Sequence, residues 1–159
     1  MPHITIEYVI MVPMLILQIF LFPLTASWLM NVWVDSRRTL ALQDAASHLG
    51  STMQQLYFSL NHETISAGTA TYSPGLPPFI ENCNYIGNAT LRAVSASENS
   101  SKVLSITLTL VEARITVTTL VTLGSNAQWQ DSAFVSNSTQ ACVSAMKNAD
   151  GTITLYFGE

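Results

Sequence analysis

The sequence has very few charged residues. Lys, Arg, Asp and Glu together make up 10% of the 159 residues, against about 25% in ordinary soluble domains. Six Lys and Arg against ten Asp and Glu give a formal net charge of −4, so the chain lacks the basic surface of a nucleic-acid-binding protein. Hydrophobic residues make up 48% of the sequence. This argues against intrinsic disorder, because disordered chains are charged and poor in aliphatic residues.

The motifs that usually identify an enzyme or a cofactor site are also missing. The sequence contains no glycine-rich phosphate loop, no nucleophile elbow and no pair of carboxylates at helical spacing. His3, His48 and His62 are too dispersed along the chain to share a metal ion. We therefore predict a protein that is not an enzyme, with no cofactor, no metal and no nucleic-acid partner.

What the chain does have is one long uncharged run at its N-terminus. Residues 8–34 contain no charge over 27 positions, with Glu7 before them and Asp35, Arg37 and Arg38 after them. A bilayer-spanning helix needs about 20 such residues. The run is longer than the apolar core of a signal peptide and no basic region precedes it. A buried core helix is the alternative, but we predict a membrane-spanning helix.

Two prolines lie inside this run, Pro13 and Pro23. Each removes one helical hydrogen bond and favours a kink. Helices in membranes tolerate such prolines where neighbouring groups cover the freed carbonyls.

Beyond Arg38 the pattern predicts that the same helix continues as an amphipathic extension over residues 39–60. We expect the whole helix to run from about Ile4 to Leu60, with Gly50 weakening it without ending it. Apolar side chains recur every three or four residues in the extension, at Leu42, Ala45, Leu49, Met53, Leu56 and Leu60.

From Ser66 onward the composition predicts a β domain. Thr, Ser, Asn and Gly become frequent, and aliphatic residues alternate with Thr as in half-buried strands. Asn148-Ala-Asp-Gly151 predicts a hairpin turn, whereas Val111-Glu-Ala-Arg114 fits either a tight turn or a bulged continuous strand. The alternating segments are residues 104–110, 115–123 and 153–157.

These patterns predict an α+β fold. A long N-terminal hydrophobic α-helix, residues 1–62, is followed by a small antiparallel β-sandwich-like domain, residues 63–159, packed on the helix.

The two cysteines, Cys83 and Cys142, both fall in the β domain. Their spacing fits no metal motif. A disulfide closing this long loop would stabilise the domain by about 4 kcal/mol in the chain-entropy model, and we predict that bond. Two inert buried thiols are the alternative.

Three Asn-x-Ser/Thr sequons lie in the same domain, at Asn88, Asn99 and Asn137. Together with a cysteine pair, they predict an extracytoplasmic surface that carries N-linked glycans. With the β domain outside, Arg37 and Arg38 lie on the outer side, opposite to the positive-inside rule. Removal of a basic leader, or a helix that leaves the bilayer after insertion, would resolve this conflict.

The N-terminal residues resemble those of a known family. Thr5-Ile-Glu-Tyr-Val9 followed by a long uncharged helix resembles the N-terminus of type IV pilin-like proteins, and the adjacent Glu7-Tyr8 with Pro13 is most similar to the tight-adherence branch. The sequons and the Thr-rich β domain are similar to archaeal members. The resemblance covers roughly residues 4–60.

In that family a dedicated peptidase removes a short basic leader, and the helices then leave the membrane and pack into a filament core. The resemblance implies that Glu7, Tyr8, Pro13 and Pro23 take part in assembly, with Glu7 pairing with the N-terminal amine of a neighbouring subunit. Reasoning from the residues alone, Glu7 could equally be a helix N-terminal carboxylate in the headgroup layer.

Two hypotheses of function follow. The first is a structural subunit of an extracellular type IV pilus-like filament, a homopolymer used for surface attachment, inserted in the cytoplasmic membrane before assembly. The alternative is a single-span membrane-anchored ectodomain or a minor pseudopilin of a secretion or pilus machine. We favour the first because a simple anchor needs no apolar stripe beyond the bilayer.

Overall fold

The computed structural model describes residues 3–95 and 100–158, with side chains from residue 9 onward. Its first element is the helix α1, His3–Leu60, which continues through both internal prolines. The Asn61 N–H donates to the Tyr57 carbonyl at 2.9 Å and closes the last turn. The predicted helix and its end at Leu60 are confirmed.

The chain forms two compact units, residues 1–37 and residues 38–159, and their boundary falls within α1. The second unit contains the rest of α1 and eight strands. These strands are β1 (Gly68–Tyr72), β2 (Tyr85–Ala93), β3 (Lys102–Leu110), β4 (Thr116–Leu123), β5 (Ala127–Trp129), β6 (Ala133–Val135), β7 (Cys142–Lys147) and β8 (Ile153–Gly158).

The strands form two four-stranded sheets, in the orders β1-β7-β8-β5 and β4-β3-β2-β6. The three predicted alternating segments are β3, β4 and β8, and the predicted turn at Asn148–Gly151 joins β7 to β8, so the α+β prediction is confirmed. One pair departs from the antiparallel expectation, because β5 runs parallel to β8. Strands β6 and β7 lie between β5 and β8 in the chain, so no hairpin turn fixes the relative direction of this pair.

The segment Val111–Arg114 is a tight turn rather than a bulge. The Arg114 N–H donates to the Leu110 carbonyl at 2.9 Å, and the Leu110 N–H donates to Ile115 at the same distance. Arg114 has a φ of 54°, in the left-handed region. The turn therefore ends β3 and starts the antiparallel β4.

The core of the second unit lies between α1 and the two sheets. The predicted apolar stripe of α1 is buried there, apart from Leu56, which is half-buried. Phe134 of one sheet packs edge-on against Phe157 of the other, with ring centroids 5.8 Å apart. The stripe is thus covered by the chain's own sheets. The buried residues of α1 are Leu42, Ala45, Ala46, Leu49, Met53, Tyr57 and Leu60.

Gly50 lies where α1 packs closely against the sheet. A Cβ atom at this position would lie 2.9 Å from the Val121 Cγ2 and 3.2 Å from the Thr119 Cγ2. Contacts this short require the neighbouring strand to move, so the glycine costs helix propensity but permits close packing of α1 on β4.

We expect the Gly50→Leu variant to lose about 1–3 kcal/mol of unfolding free energy, because an overpacked core displaces its neighbours. The matched control is Ser51→Leu, on the exposed side of the same turn, where a change of about 0.5 kcal/mol or less is expected. Denaturant titration of both variants in detergent measures the difference. Equal effects of the two substitutions would contradict the close helix–sheet contact.

Asn126 connects the end of α1 to the sheet that contains β7 and β8. Its side-chain Oδ1 accepts a hydrogen bond from the Tyr57 hydroxyl. Its Nδ2 donates to the Asn61 Oδ1 at 2.8 Å and to the Gly151 carbonyl at 2.9 Å. Burial raises the pKa of Tyr57, so its hydroxyl remains protonated and can donate.

Tyr85 fixes the proline-rich loop that precedes β2. Its hydroxyl donates to the Pro77 carbonyl at 2.8 Å, and burial raises the pKa of Tyr85 to about 12. Its backbone N–H donates to the Ser136 Oγ at 3.0 Å, and that hydroxyl donates to the Pro78 carbonyl at 2.8 Å. The loop is therefore held by buried polar groups on β2 and on the residue that follows β6.

Candidate assembly surface

The first unit contains the surface with the strongest indication of function. Residues 9–33, here called the apolar segment, are all exposed, and their large apolar side chains are exposed by 48% at Val12 to 76% at Phe22. An 18-residue window reaches a mean hydropathy of 2.3 with none of it buried. Because full burial of one large aliphatic side chain is worth about 1.5–3 kcal/mol, this segment requires a cover of lipid or protein.

Among the described residues, α1 is the one helix long and apolar enough to cross a bilayer, a test that a signal sequence also passes. The apolar segment is hydrophobic on every side, as expected of a helix surrounded by lipid or by other helices. Membrane insertion and packing among other helices would each cover the apolar segment.

Pro13 and Pro23 lie inside the helix, as predicted. Neither has an N–H group, so the carbonyls four residues earlier, on Val9 and Ile19, lose their helical donors. The Thr25 Oγ1 lies 3.1 Å from the Leu21 carbonyl and 2.9 Å from the Phe22 carbonyl.

A shallow groove opens on the helix surface beside Pro23. Its volume is about 510 Å³. The exposed side chain of Gln18 contributes a carboxamide to this otherwise mainly apolar surface. Gln18 was not among the residues predicted to take part in assembly, although it is one of only two carboxamides in the uncharged run, with Asn31, and that was a usable signal. The lining residues are Leu15, Gln18, Ile19, Leu21, Phe22, Pro23 and Thr25.

The basic residues after the apolar segment each have a defined neighbour within their own unit. The guanidinium carbon of Arg37 lies 4.8 Å from the Trp33 ring centroid, a cation–π distance. The Arg38 Nε lies 3.3 Å from a Glu81 carboxylate oxygen. Glu81 and Asn82 adopt left-handed backbone conformations, with φ of 46° and 66°.

Of the residues predicted to take part in assembly, Glu7 and Tyr8 belong to α1 by their backbone. Their side chains lie outside the described part of the structure. The pairing of Glu7 with a neighbouring N-terminus stays a prediction. Among the described residues, no three His, Cys, Asp or Glu side chains are grouped so that they could hold a metal ion.

The structure contains Cys83 and Cys142 as free thiols, in place of the predicted disulfide. The Cys83 sulfur lies 3.6 Å from a Glu112 carboxylate oxygen. The Cys142 sulfur lies over Gly158 on the neighbouring strand, where a Cβ atom would be only 2.2 Å from it. The two sulfurs have different neighbours, and a disulfide requires specific Cα separation and direction rather than shared compartment alone.

We expect the two thiols to react at different rates. Cys83 is only 4% exposed, and burial followed by its Glu112 neighbour raises the pKa of the Cys83 thiol, which lowers the reactive thiolate fraction. Cys142 is partly exposed. Intact-mass analysis after maleimide treatment should show one fast and one slow addition, with only the slow one left in Cys142→Ser. Labelling that requires a reductant would contradict the free thiols.

The sequons occupy two different settings. Asn88 is exposed on β2, between Thr107 of β3 and Ala133 of β6. Asn137 is exposed in the turn that follows β6. Asn99 lies outside the described residues. Both described acceptors have solvent-exposed side chains, and their modification stays a prediction.

The architecture, a long apolar N-terminal helix whose C-terminal part packs on β-sheets, resembles a pilin-like fold. Comparison with profiles of known protein families, with curated proteins and with solved structures finds no match for this chain.

Proposed function

We propose that this protein is a structural subunit of an extracellular filament of the type IV pilus kind, which polymerises through its N-terminal helix and serves surface attachment. One observation carries the proposal: the apolar segment is uncharged and exposed on every side. The resemblance of Thr5–Val9 and of the architecture to pilin-like proteins supports it.

Within α1, the apolar segment supports the proposal and the amphipathic extension does not. The extension is buried by the chain's own sheets, so its stripe does not distinguish a filament subunit from an anchored ectodomain. A helix that is apolar all round can pack against several copies at once. Repetition of one heterologous contact without closure generates a helical polymer.

Before assembly the apolar segment would lie in the cytoplasmic membrane, since it has the length and hydropathy of a bilayer span. After assembly, neighbouring helices would replace lipid as its cover. The Thr-rich β unit would then face the outside of the filament, where its two exposed sequons are available for glycan attachment.

Electron microscopy of sheared cells tests the proposal. Material sheared from cells that express the chain should contain filaments in which peptide mapping identifies it, and cells that lack its gene should yield none. Complementation with the intact gene should restore them. Retention of all of the chain in the membrane fraction of expressing cells, with no filaments, would favour the anchored ectodomain instead.

We expect glycans on at least two of Asn88, Asn99 and Asn137 in protein from the native host. The physical reason is the shortage of charge, 10% of residues, on a surface that needs polar groups to remain soluble. Glycopeptide mass mapping measures occupancy, with Asn→Gln at each position as the control for assignment. Three unmodified sequons in native material would overturn the expectation.

A further inference from the structure

Gln18 presents an unsatisfied hydrogen-bonding group in the middle of the apolar segment. Its side chain is exposed, and within the part of the chain that the structure describes its carboxamide has no hydrogen-bond partner. Placing an amide in an apolar environment without a partner is costly. Polar side chains within membrane helices usually hydrogen-bond across to another helix.

An unsatisfied acceptor lies in the same groove. Pro23 cannot donate to the Ile19 carbonyl, and the Thr25 hydroxyl lies at the Leu21 and Phe22 carbonyls instead. Gln18 and Ile19 both line the groove beside Pro23. The groove therefore holds a free amide donor and a free carbonyl acceptor in mainly apolar surroundings.

The two groups cannot satisfy each other within one chain. Side chains of an α-helix tilt toward its N-terminus, whereas the backbone carbonyls point toward its C-terminus. In a regular helix these opposite directions separate the Gln18 side chain from the carbonyl of Ile19 on the same chain. Lipid acyl chains have no donors or acceptors, so only a polar partner at this depth can complete both hydrogen bonds.

We infer that the Gln18 side-chain amide donates to the Ile19 carbonyl of a second copy of this chain. The inference rests on the proposed function and names a contact within the polymer. Each copy would donate to one neighbour and accept from another, which is the heterologous, repeating contact that a filament needs. Pro23 thus creates the acceptor and Gln18 supplies its donor.

Solid-state NMR of mixed-labelled full-length protein tests the contact directly. Half of the copies carry ¹⁵N-labelled glutamine side chains and the other half carry ¹³C-carbonyl isoleucine. A hydrogen bond of about 2.9 Å between nitrogen and oxygen predicts a short intermolecular ¹⁵N–¹³C contact. It should vanish in Gln18→Leu, and also in Ile19→Val, which removes the label but keeps the carbonyl. Absence of the contact in the wild type, or its persistence in Ile19→Val, would overturn the inference.

A double-mutant cycle supplies an energetic test. Gln18→Leu removes the donor, and Pro23→Ala restores the helical hydrogen bond and so removes the acceptor. We expect the two substitutions to be non-additive, with a coupling of about three- to tenfold in the self-association constant. Asn31→Leu removes another carboxamide outside the groove and should show no coupling with Pro23→Ala. Additive effects of Gln18→Leu and Pro23→Ala would refute the pairing.

The two proposals can fail separately. If cells expressing the wild type yield no filaments, the proposed function fails, while the same labels and variants can be measured for the full chain in lipid bilayers. If filaments form without the Gln18–Ile19 contact, only this inference fails. A Gln18 carboxamide that contacts only water or lipid, both in filaments and in bilayers, would also contradict this inference.

Discussion

Replacement of Leu17 by arginine is expected to abolish filaments and leave the β unit folded. Leu17 is 62% exposed in the single chain and lies well inside the apolar segment, about a third of the way from its N-terminal end, where the proposed polymer would bury it. An arginine at the centre of a membrane helix costs about 2.5–3.5 kcal/mol on insertion scales, and an unpaired charge buried among packed helices costs several kcal/mol more than a leucine. The same charge is repeated in every subunit, so the polymer cannot avoid it.

The experiment needs a control for insertion as well as for assembly. Leu17→Ile keeps the volume and hydrophobicity, and should form filaments at the wild-type level. Leu17→Arg must first be found in the membrane fraction, and circular dichroism in detergent should show its β signal unchanged. Normal filaments from a membrane-inserted Leu17→Arg protein would contradict a filament core built from the apolar segment.

The helix was predictable because its signals are local. An uncharged run of 27 residues followed by an apolar stripe indicates one helix, and the buried face of residues 42–60 follows from the 3.6-residue period. Strands β3, β4 and β8 were predictable for the same reason, since aliphatic residues alternate with Thr. In each case the pattern in the sequence matches the burial in the structure.

The strands that the sequence did not predict lack this agreement between sequence pattern and burial. Strand β1 is exposed or half-buried along its whole length, and β5 and β6 have only three residues each. Strand β2 does alternate in burial, but Gly87 takes an inward position where a Cβ atom would lie 2.6 Å from the Leu108 Cδ2. The neighbouring side chains fill that space. A glycine at an inward position interrupts the alternation of aliphatic and polar residues, so the sequence does not show that the strand is half-buried.

The candidate site was predictable in outline and not in detail. Length and the absence of charge are sufficient to locate the apolar segment, but the partner of each polar group depends on the direction in which side chains and carbonyls point. The disulfide prediction was wrong for a related reason: sequence gives the number of cysteines, whereas bonding depends on where Cys83 and Cys142 direct their sulfurs.

The second large effect is expected in the β unit, from Phe134→Ala. Phe134 is 1% exposed, and its ring centroid lies 6.3 Å from that of Tyr85 and 5.8 Å from that of Phe157. Removal of the ring leaves a cavity where the two sheets meet, and such substitutions cost about 3–5 kcal/mol. Gly87 cannot fill that cavity because it has no side chain, so the loss of unfolding free energy should lie toward the upper end of this range.

Denaturant unfolding of the full chain in detergent, followed by near-ultraviolet circular dichroism, measures this loss. Phe79→Ala is the matched control, because Phe79 is 51% exposed and should cost less than about 1 kcal/mol. The helical signal of the apolar segment should persist when the β unit of Phe134→Ala unfolds, since detergent covers that segment and α1 divides between two compact units. Equal stability of the two variants would mean that Phe134 does not join the sheets. Loss of all helical signal together with the β unit would mean that the apolar segment depends on the β unit for its structure.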